Sequence, residues 1–129
     1  MMKIVLVEDC AVQRKFYSLY LEDSGHQVMT AKDGVEALEL IETSGSSWEV
    51  LISDYNMPFM NGVELIERLL PQKKFNRLIL FSGALMTSID FGCLDENMHS
   101  KNMVYYVNKD TEGIAKLSSL LSDTALTQG

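Results

Sequence analysis

The sequence predicts an α/β domain, a five-stranded parallel sheet wound on both faces by helices. Three observations point there. Short apolar runs of strand length alternate with longer stretches whose apolar residues recur at helical spacing. The stretches between strands are long enough for right-handed crossovers, which parallel strands require. Finally, four of the apolar runs end in polar residues: Ile4 to Val7 before Glu8-Asp9, Val50 to Ile52 before Asp54, Leu78 to Phe81 before Ser82, and Met103 to Val107 before Lys109. Side chains just past the carboxyl ends of parallel strands share one edge of the sheet, so these residues are expected to meet.

The first strand, Ile4 to Val7, is followed by a helix with Val12, Phe16, Leu19 and Tyr20 on its expected inner face and Gly25 as its stop. Val28 to Ala31 is the second strand, and Lys32-Asp33-Gly34 turns into a helix carrying Val35, Leu38 and Ile41. Ser44-Gly45-Ser46-Ser47 reads as a loop. The third strand runs from about Glu49 to Ser53, and a helix with Val63, Ile66, Leu69 and Leu70 ends at Pro71. Arg77 to Phe81 is the fourth strand. The stretch from Gly83 to Asn102 has a poor apolar stripe (Met86, Ile89, Cys93) broken by Gly92, and a short or irregular fourth helix is expected there. Met103 to Val107 is the fifth strand, a last helix carries Ile114, Leu117 and Leu121, and 124–129 reads as a tail or the start of a linker after a domain over 1–123.

Composition narrows the function. A chain of 129 residues fits one domain able to bury an ordinary core. Acidic residues outnumber basic ones 18 to 11, a net charge of −7 that argues against a nucleic-acid surface. Cys10 and Cys93 have neither CxxC spacing nor neighbouring histidines, so reduced thiols are expected rather than a zinc or redox site. Met1-Met2-Lys3 runs straight into a strand, unlike a signal peptide, and no apolar run approaches the ~18 residues of a membrane span. A cytoplasmic domain is the expectation.

At the shared edge, Glu8, Asp9 and Asp54 would repel one another unless a cation sat among them. Oxygen ligands without histidine or cysteine favour magnesium, with manganese also possible. A carboxylate can attack phosphorus to form an aspartyl phosphate, and such transfer depends on positioning and charge neutralisation. Lys109 supplies a mobile point charge, Ser82 a hydroxyl donor, and Gly83 room for close backbone approach. Each feature alone has a plainer structural explanation; together, in this order at one edge, they indicate a metal-dependent phosphoryl-acceptor pocket.

The strings Val7-Glu8-Asp9, Asp54-Tyr55-Asn56-Met57-Pro58-Phe59-Met60-Asn61-Gly62, Phe81-Ser82-Gly83-Ala84 and Tyr105-Tyr106-Val107-Asn108-Lys109 closely resemble the receiver domain of two-component response regulators, notably single-domain chemotaxis-type regulators. The resemblance spans essentially the whole chain. It implies a flavodoxin-like sheet of order 2-1-3-4-5. It further implies Asp54 as phosphoacceptor from a phosphohistidine on a sensor kinase or histidine phosphotransfer protein. Asp9 would be a direct magnesium ligand, Glu8 a largely water-mediated one, and Asn56 a ligand through its backbone carbonyl. Ser82 would be the switch hydroxyl, Lys109 the phosphate-contacting lysine and Tyr106 the aromatic that responds to Ser82. Asn56 and Ala84 would flank the attacking water and modulate the lifetime of the phosphate. The face of the fourth helix, fifth strand and last helix would signal to a downstream protein, to an output domain outside this chain, or to a second copy in a homodimer. Such a domain is not an enzyme acting on a separate substrate; it catalyses its own phosphorylation and dephosphorylation.

Two departures stand out. Asp110 follows Lys109 where the family usually has proline, often cis; Asp110 is expected to cap the last helix. The segment between Ser82 and Lys109 is longer than usual, and Met86, Phe91, Met98 and Met103 could give it a partner surface or simply irregular packing. A phosphorylation-independent interaction module is the alternative function. An aspartyl-phosphate hydrolase is disfavoured because Glu8-Asp9-Cys10-Ala11 lacks the Asp-x-Asp string after the first strand, and a flavodoxin because that loop carries acids where a flavin phosphate would sit.

Overall fold

The computed structural model describes residues 1–92, 94 and 103–122. Five strands form one parallel sheet: β1 (Lys3–Val7), β2 (Gln27–Ala31), β3 (Val50–Ser53), β4 (Arg77–Ser82) and β5 (Val104–Asn108), in the order β2-β1-β3-β4-β5. Four α-helices accompany them among the described residues: α1 (Ala11–Asp23), α2 (Gly34–Thr43), α3 (Gly62–Leu69) and α4 (Gly113–Leu120). The strands are nearly continuous apolar runs because helices cover both faces of the sheet. Two cores result. Val5, Val7, Leu51, Leu78 and Leu80 pack with α2, α3, Trp48 and Phe75 on one face. Ile4, Leu6, Ile52, Ile79 and Phe81 pack with Leu21, Leu117 and Leu121 on the other. Tyr105 and Tyr106 fall on opposite faces, as their alternation requires.

Local chemistry sets the helix starts. Asp33 accepts the Glu36 N–H at 2.8 Å and begins α2. Asn61 and Glu64 form a reciprocal capping box that begins α3. Pro71 ends α3 in a short 3-10 turn over Leu70–Gln72. Trp48 is a packing residue between helix and strand, its ring N–H donated to Ser44 Oγ at 3.0 Å.

Three expectations are corrected. On α1, Val12, Phe16 and Leu19 are exposed at 78%, 56% and 50%, whereas Leu21 is buried and Tyr17 and Tyr20 pack partly against the core. The helix carries two apolar stripes, and Arg14 decides between them: its guanidinium donates to the backbone carbonyl of Glu8 at 2.8 Å and reaches that of Asp9 at 3.5 Å, which turns Tyr17 and Leu21 inward. On α2, Gly34, Ala37 and Ile41 are buried and Val35 is half exposed, because the close approach of α2 to Met60 selects the small-residue face. Asp110 does not cap α4. Its carboxylate accepts the Glu112 N–H in the turn before the helix, and Glu112, the capping position, makes no side-chain cap bond.

In the long connection from β4 to β5, the described part holds a 3-10 turn over Met86–Ser88. Ile89, Phe91 and Leu94 are buried and Met103 packs against the core, so Phe91 and Met103 fill the interior rather than a partner surface; Met86 is exposed. The rest of the expected fourth helix, with Cys93, Met98 and Asn102, lies outside the described residues, as do His99 and the tail over 124–129.

Candidate functional site

The sheet ladder itself delivers the site residues to one place. Val7 is paired with Ser53, so Glu8 and Asp54, the next residues on neighbouring strands, leave the sheet side by side. The Asp54 N–H donates to Val7 O at 3.0 Å and the Glu8 N–H to Ala31 O at 3.0 Å, which carries strand geometry one residue beyond each strand. β4 extends two residues past its pairing with Ser53, placing Ser82 opposite Asn108, and the Lys109 N–H donates to Ser82 O at 2.9 Å.

One carboxylate oxygen from each of Glu8, Asp9 and Asp54 lies within 4.8 Å of the others. Glu8 is buried, Asp54 half-buried and Asp9 exposed, so the cluster opens to solvent on the Asp9 side. Lys109 Nζ lies 3.2 Å from Glu8 Oε2 and 3.7 Å from Asp54 Oδ2. The Asp54 carboxylate is oriented: its Oδ1 accepts the Tyr55 N–H at 2.8 Å, leaving Oδ2 toward the lysine. The Glu8 carboxyl is pushed up to about 7 by burial above all, Lys109 pulling it down and neighbouring Asp54 adding to the rise. A buried acid held that high beside two others is a charge conflict that a cation would relieve. The all-oxygen donor set fits a hard divalent ion, and Glu8, Asp9 and Asp54 would hold it. Asn56 is exposed on the loop that leaves Asp54.

The Lys109–Asp110 peptide is trans, and Lys109 still reaches both carboxylates. Two residues outside the family-like strings, Gln13 and Tyr17, help to hold it there, together with Phe81. Gln13 Oε1 accepts from Nζ at 2.8 Å, and the rings of Tyr17 and Phe81 lie 5.5 and 5.6 Å from it. Nothing in the spacing of Gln13 or Tyr17 marks them as site residues; their place follows from which face of α1 turns inward.

Ser82 is buried, and its Oγ accepts the Ala84 N–H at 3.1 Å. The Ala84 carbonyl accepts in turn from the Tyr106 hydroxyl and from Asn108 Nδ2, the latter at 3.2 Å, while Asn108 Nδ2 also donates to the Tyr106 oxygen at 2.9 Å. The Tyr106 ring meets Phe91 edge-on with centroids 6.1 Å apart. Ser82, Ala84, Tyr106 and Asn108 thus form one bonded chain, and Asn108 is the member the sequence did not single out.

Comparison with known proteins shows the family. The family model of the response regulator receiver domain matches residues 4–117. The chain belongs to that family. Among curated relatives, a chemotaxis protein CheY homolog of Campylobacter jejuni is 40% identical over 75 residues, a match that spans 57% of this chain and 57% of the relative's length. Among solved structures, chemotaxis protein CheY4 of Vibrio cholerae is 28% identical with a TM-score of 0.69, covering 93% of this chain and 96% of that one. Response regulator TrrA of Thermotoga maritima, in complex with Mg(2+)-BeF, is 26% identical with a TM-score of 0.70, covering 94% and 100%. No helix among the described residues is long and apolar enough to cross a membrane.

Proposed function

We propose that the chain is the phosphoacceptor of a two-component relay, taking a phosphoryl group onto Asp54 from a phosphohistidine on a sensor kinase or histidine phosphotransfer protein. The observation that carries this is the convergence of Glu8, Asp9, Asp54 and Lys109 on one point at the carboxyl edge of the sheet. Asp54 attacks phosphorus, the phosphorus–nitrogen bond breaks, and the imidazole nitrogen keeps the electron pair and takes a proton. The Tyr55 N–H fixes the attacking carboxylate, and Lys109 stabilises charge on the transferred oxygens. Glu8, Asp9 and Asp54, with the Asn56 carbonyl, would hold magnesium or manganese, which when bound supplies further neutralisation of the phosphoryl oxygens. The complex of TrrA with Mg(2+)-BeF supports that ion class for a protein of this fold.

Once phosphate stands on Asp54, its oxygens accept from the Ser82 hydroxyl and draw Oγ toward them, which strains the bond that Oγ accepts from the Ala84 N–H. Releasing Ala84 loosens the carbonyl on which Tyr106 is tied, so the charge at Asp54 is read out beside β5. The surface there serves a downstream protein or an output domain, and a homodimer is one form that output could take. Ala84 and Asn56 are taken to set how fast water removes the phosphate. The domain is taken to run over 1–123. A phosphorylation-independent module would have been favoured by a Lys109 misdirected by Asp110; its reach to both carboxylates supports the phosphoacceptor instead.

Incubation with magnesium and acetyl phosphate tests the proposal. Intact-mass measurement should show one added phosphoryl group on wild type and none on Asp54→Ala. An equal increment on both, or none on wild type, would overturn it.

A further inference from the structure

Lys109 reaches the acid cluster on a flexible side chain whose ammonium carries three donors. Its backbone is tied by the N–H to Ser82 O at 2.9 Å, but the next residue is an exposed Asp110 in a trans peptide rather than a proline. The aim of so mobile a group must come from what surrounds its head.

The slot that receives the head is built in large part by α1. Arg14 Nη1 donates to Glu8 O at 2.8 Å, which sets the rotation of the helix. Gln13 and Tyr17, one turn apart, therefore share the face turned to Lys109. The Tyr17 and Phe81 rings meet edge-on with centroids 5.1 Å apart, and Nζ lies 5.5 and 5.6 Å from them. The lysine side chain is left 10% exposed.

The polar contacts divide the three protons. Glu8 Oε2 accepts from Nζ at 3.2 Å and Gln13 Oε1 at 2.8 Å, the shorter of the two. Asp54 Oδ2 stands at 3.7 Å, beyond a hydrogen bond but within reach of an ion pair. Two donors are taken, and one remains for the side of Asp54. Gln13 supplies its acceptor without a charge. A fourth carboxylate there would offset the lysine and crowd Glu8, Asp9 and Asp54 further, whereas an amide fixes the ammonium and leaves its charge whole.

We propose that Gln13 is a positioning residue for phosphoryl transfer to Asp54, holding the Lys109 ammonium so that its remaining donor meets the oxygens of the incoming phosphoryl group. The inference rests on Asp54 being the phosphoacceptor. Gln13 acts through Lys109 rather than on the reacting atoms. With acetyl phosphate as donor, an Asp54 carboxylate oxygen bonds to phosphorus, the bond from phosphorus to the acetyl oxygen breaks, and acetate leaves with the electron pair. The charge spread over the phosphoryl oxygens during that transfer is what an aimed ammonium stabilises. α1 thus supplies the aim at a position where Asp110 stands in place of the family's usual proline.

The test uses the full chain with magnesium and acetyl phosphate, the labelling rate being read by intact mass. Gln13→Ala should slow labelling at saturating acetyl phosphate about three- to tenfold, as expected for one hydrogen bond to a charged group at a partly open site. Gln13→Met, similar in length but without an oxygen acceptor, should lose as much, which separates the hydrogen bond from packing. In metal-free chain, NMR should show the Lys109 ammonium protons exchanging with water faster in both variants than in wild type. Magnesium affinity by calorimetry should stay within about twofold of wild type, as expected where the hydrogen bond lost is not to a metal ligand. In a Lys109→Met background, Gln13→Ala should slow labelling by less than about twofold, because nothing is left to aim.

Wild-type labelling rates in both Gln13 variants, a loss in Gln13→Ala that Gln13→Met restores, or an undiminished loss on removing Gln13 from Lys109→Met would each overturn the proposal. So would faster labelling in Gln13→Ala, since Gln13 would then hold Lys109 back, or a larger change in magnesium affinity, since Gln13 would then act on the acids. Failure of wild type to take label on Asp54 would instead remove the phosphoacceptor assignment on which the inference stands.

Discussion

The two halves of the sheet edge are built differently. On the side of β1 and β3, backbone bonds place Glu8 and Asp54 as continuations of their strands, Arg14 braces the carbonyls of Glu8 and Asp9, and the loop after Asp54 closes through Gly62. On the side of β4 and β5, Ser82, Tyr106 and Asn108 are joined mainly by side-chain bonds to one residue, Ala84. The ladder fixes the backbone of both halves, including Lys109 through its N–H to Ser82 O, and the groups proposed for the chemistry hang directly on it. Readout sits in the half whose bonds can be exchanged at small cost, as a switch requires.

The largest effect should come from breaking the rigid half at Gly62. A Cβ there would lie 2.2 Å from Asp54 O and 2.6 Å from Leu80 Cδ1, and the backbone oxygen cannot move without moving Asp54. Gly62→Ala should cost about 3 kcal/mol by overpacking, measured by urea unfolding, and should also abolish labelling of Asp54 in whatever fraction stays folded. Gly83→Ala, with nothing within 4 Å of its added Cβ, is the control in the other half and should be nearly neutral.

Next in size is the charge conflict at Glu8. Its folded pKa of about 7 lies above the ordinary 4.5, so between those values the folded chain holds a proton that the unfolded chain has lost. Stability without metal should therefore fall as pH rises through that window, by on the order of 2 kcal/mol, and level off above it. Glu8→Gln should flatten the profile in urea unfolding with EDTA present. Saturating magnesium should oppose the fall, because a cation on the ionised cluster stabilises the folded state.

The flexible half should respond more gently. Tyr106→Phe and Asn108→Ala should each cost about 1 kcal/mol, the worth of one hydrogen bond, with magnesium affinity unchanged. Because both donate to the Ala84 carbonyl, the double variant should cost more than the sum, once that oxygen has lost both donors. Strict additivity, or altered magnesium binding, would remove the distinction between the halves.

Much of this was legible from residue order alone. Strand-length runs ending in Glu8, Asp54, Ser82 and Lys109 located the edge of the sheet, and the string from Asp54 to Gly62 fixed the family resemblance. What escaped was whatever depended on the choice between equivalent faces. Gln13 and Tyr17 join the Lys109 site only because α1 turns that way, and Asn108 matters only because β5 lies in register with Ser82. Such facts live in tertiary packing, to which periodicity is blind.

The smallest predicted effect tests that point on α1. Apolar spacing assigned Val12, Phe16 and Leu19 to the core, where truncation of Phe16 would cost roughly 3 kcal/mol or more. Their exposure instead predicts that Val12→Ser, Phe16→Ser and Leu19→Ser each change stability by less than about 0.5 kcal/mol. Leu21→Ala, only 1% exposed on the opposite stripe, should cost about 2 to 5 kcal/mol. If Phe16→Ser proved as costly as Leu21→Ala, α1 would have to be rotated. Arg14 would then leave the Glu8 and Asp9 carbonyls, Gln13 and Tyr17 would leave Lys109, and the rigid half of the site would lose its supports.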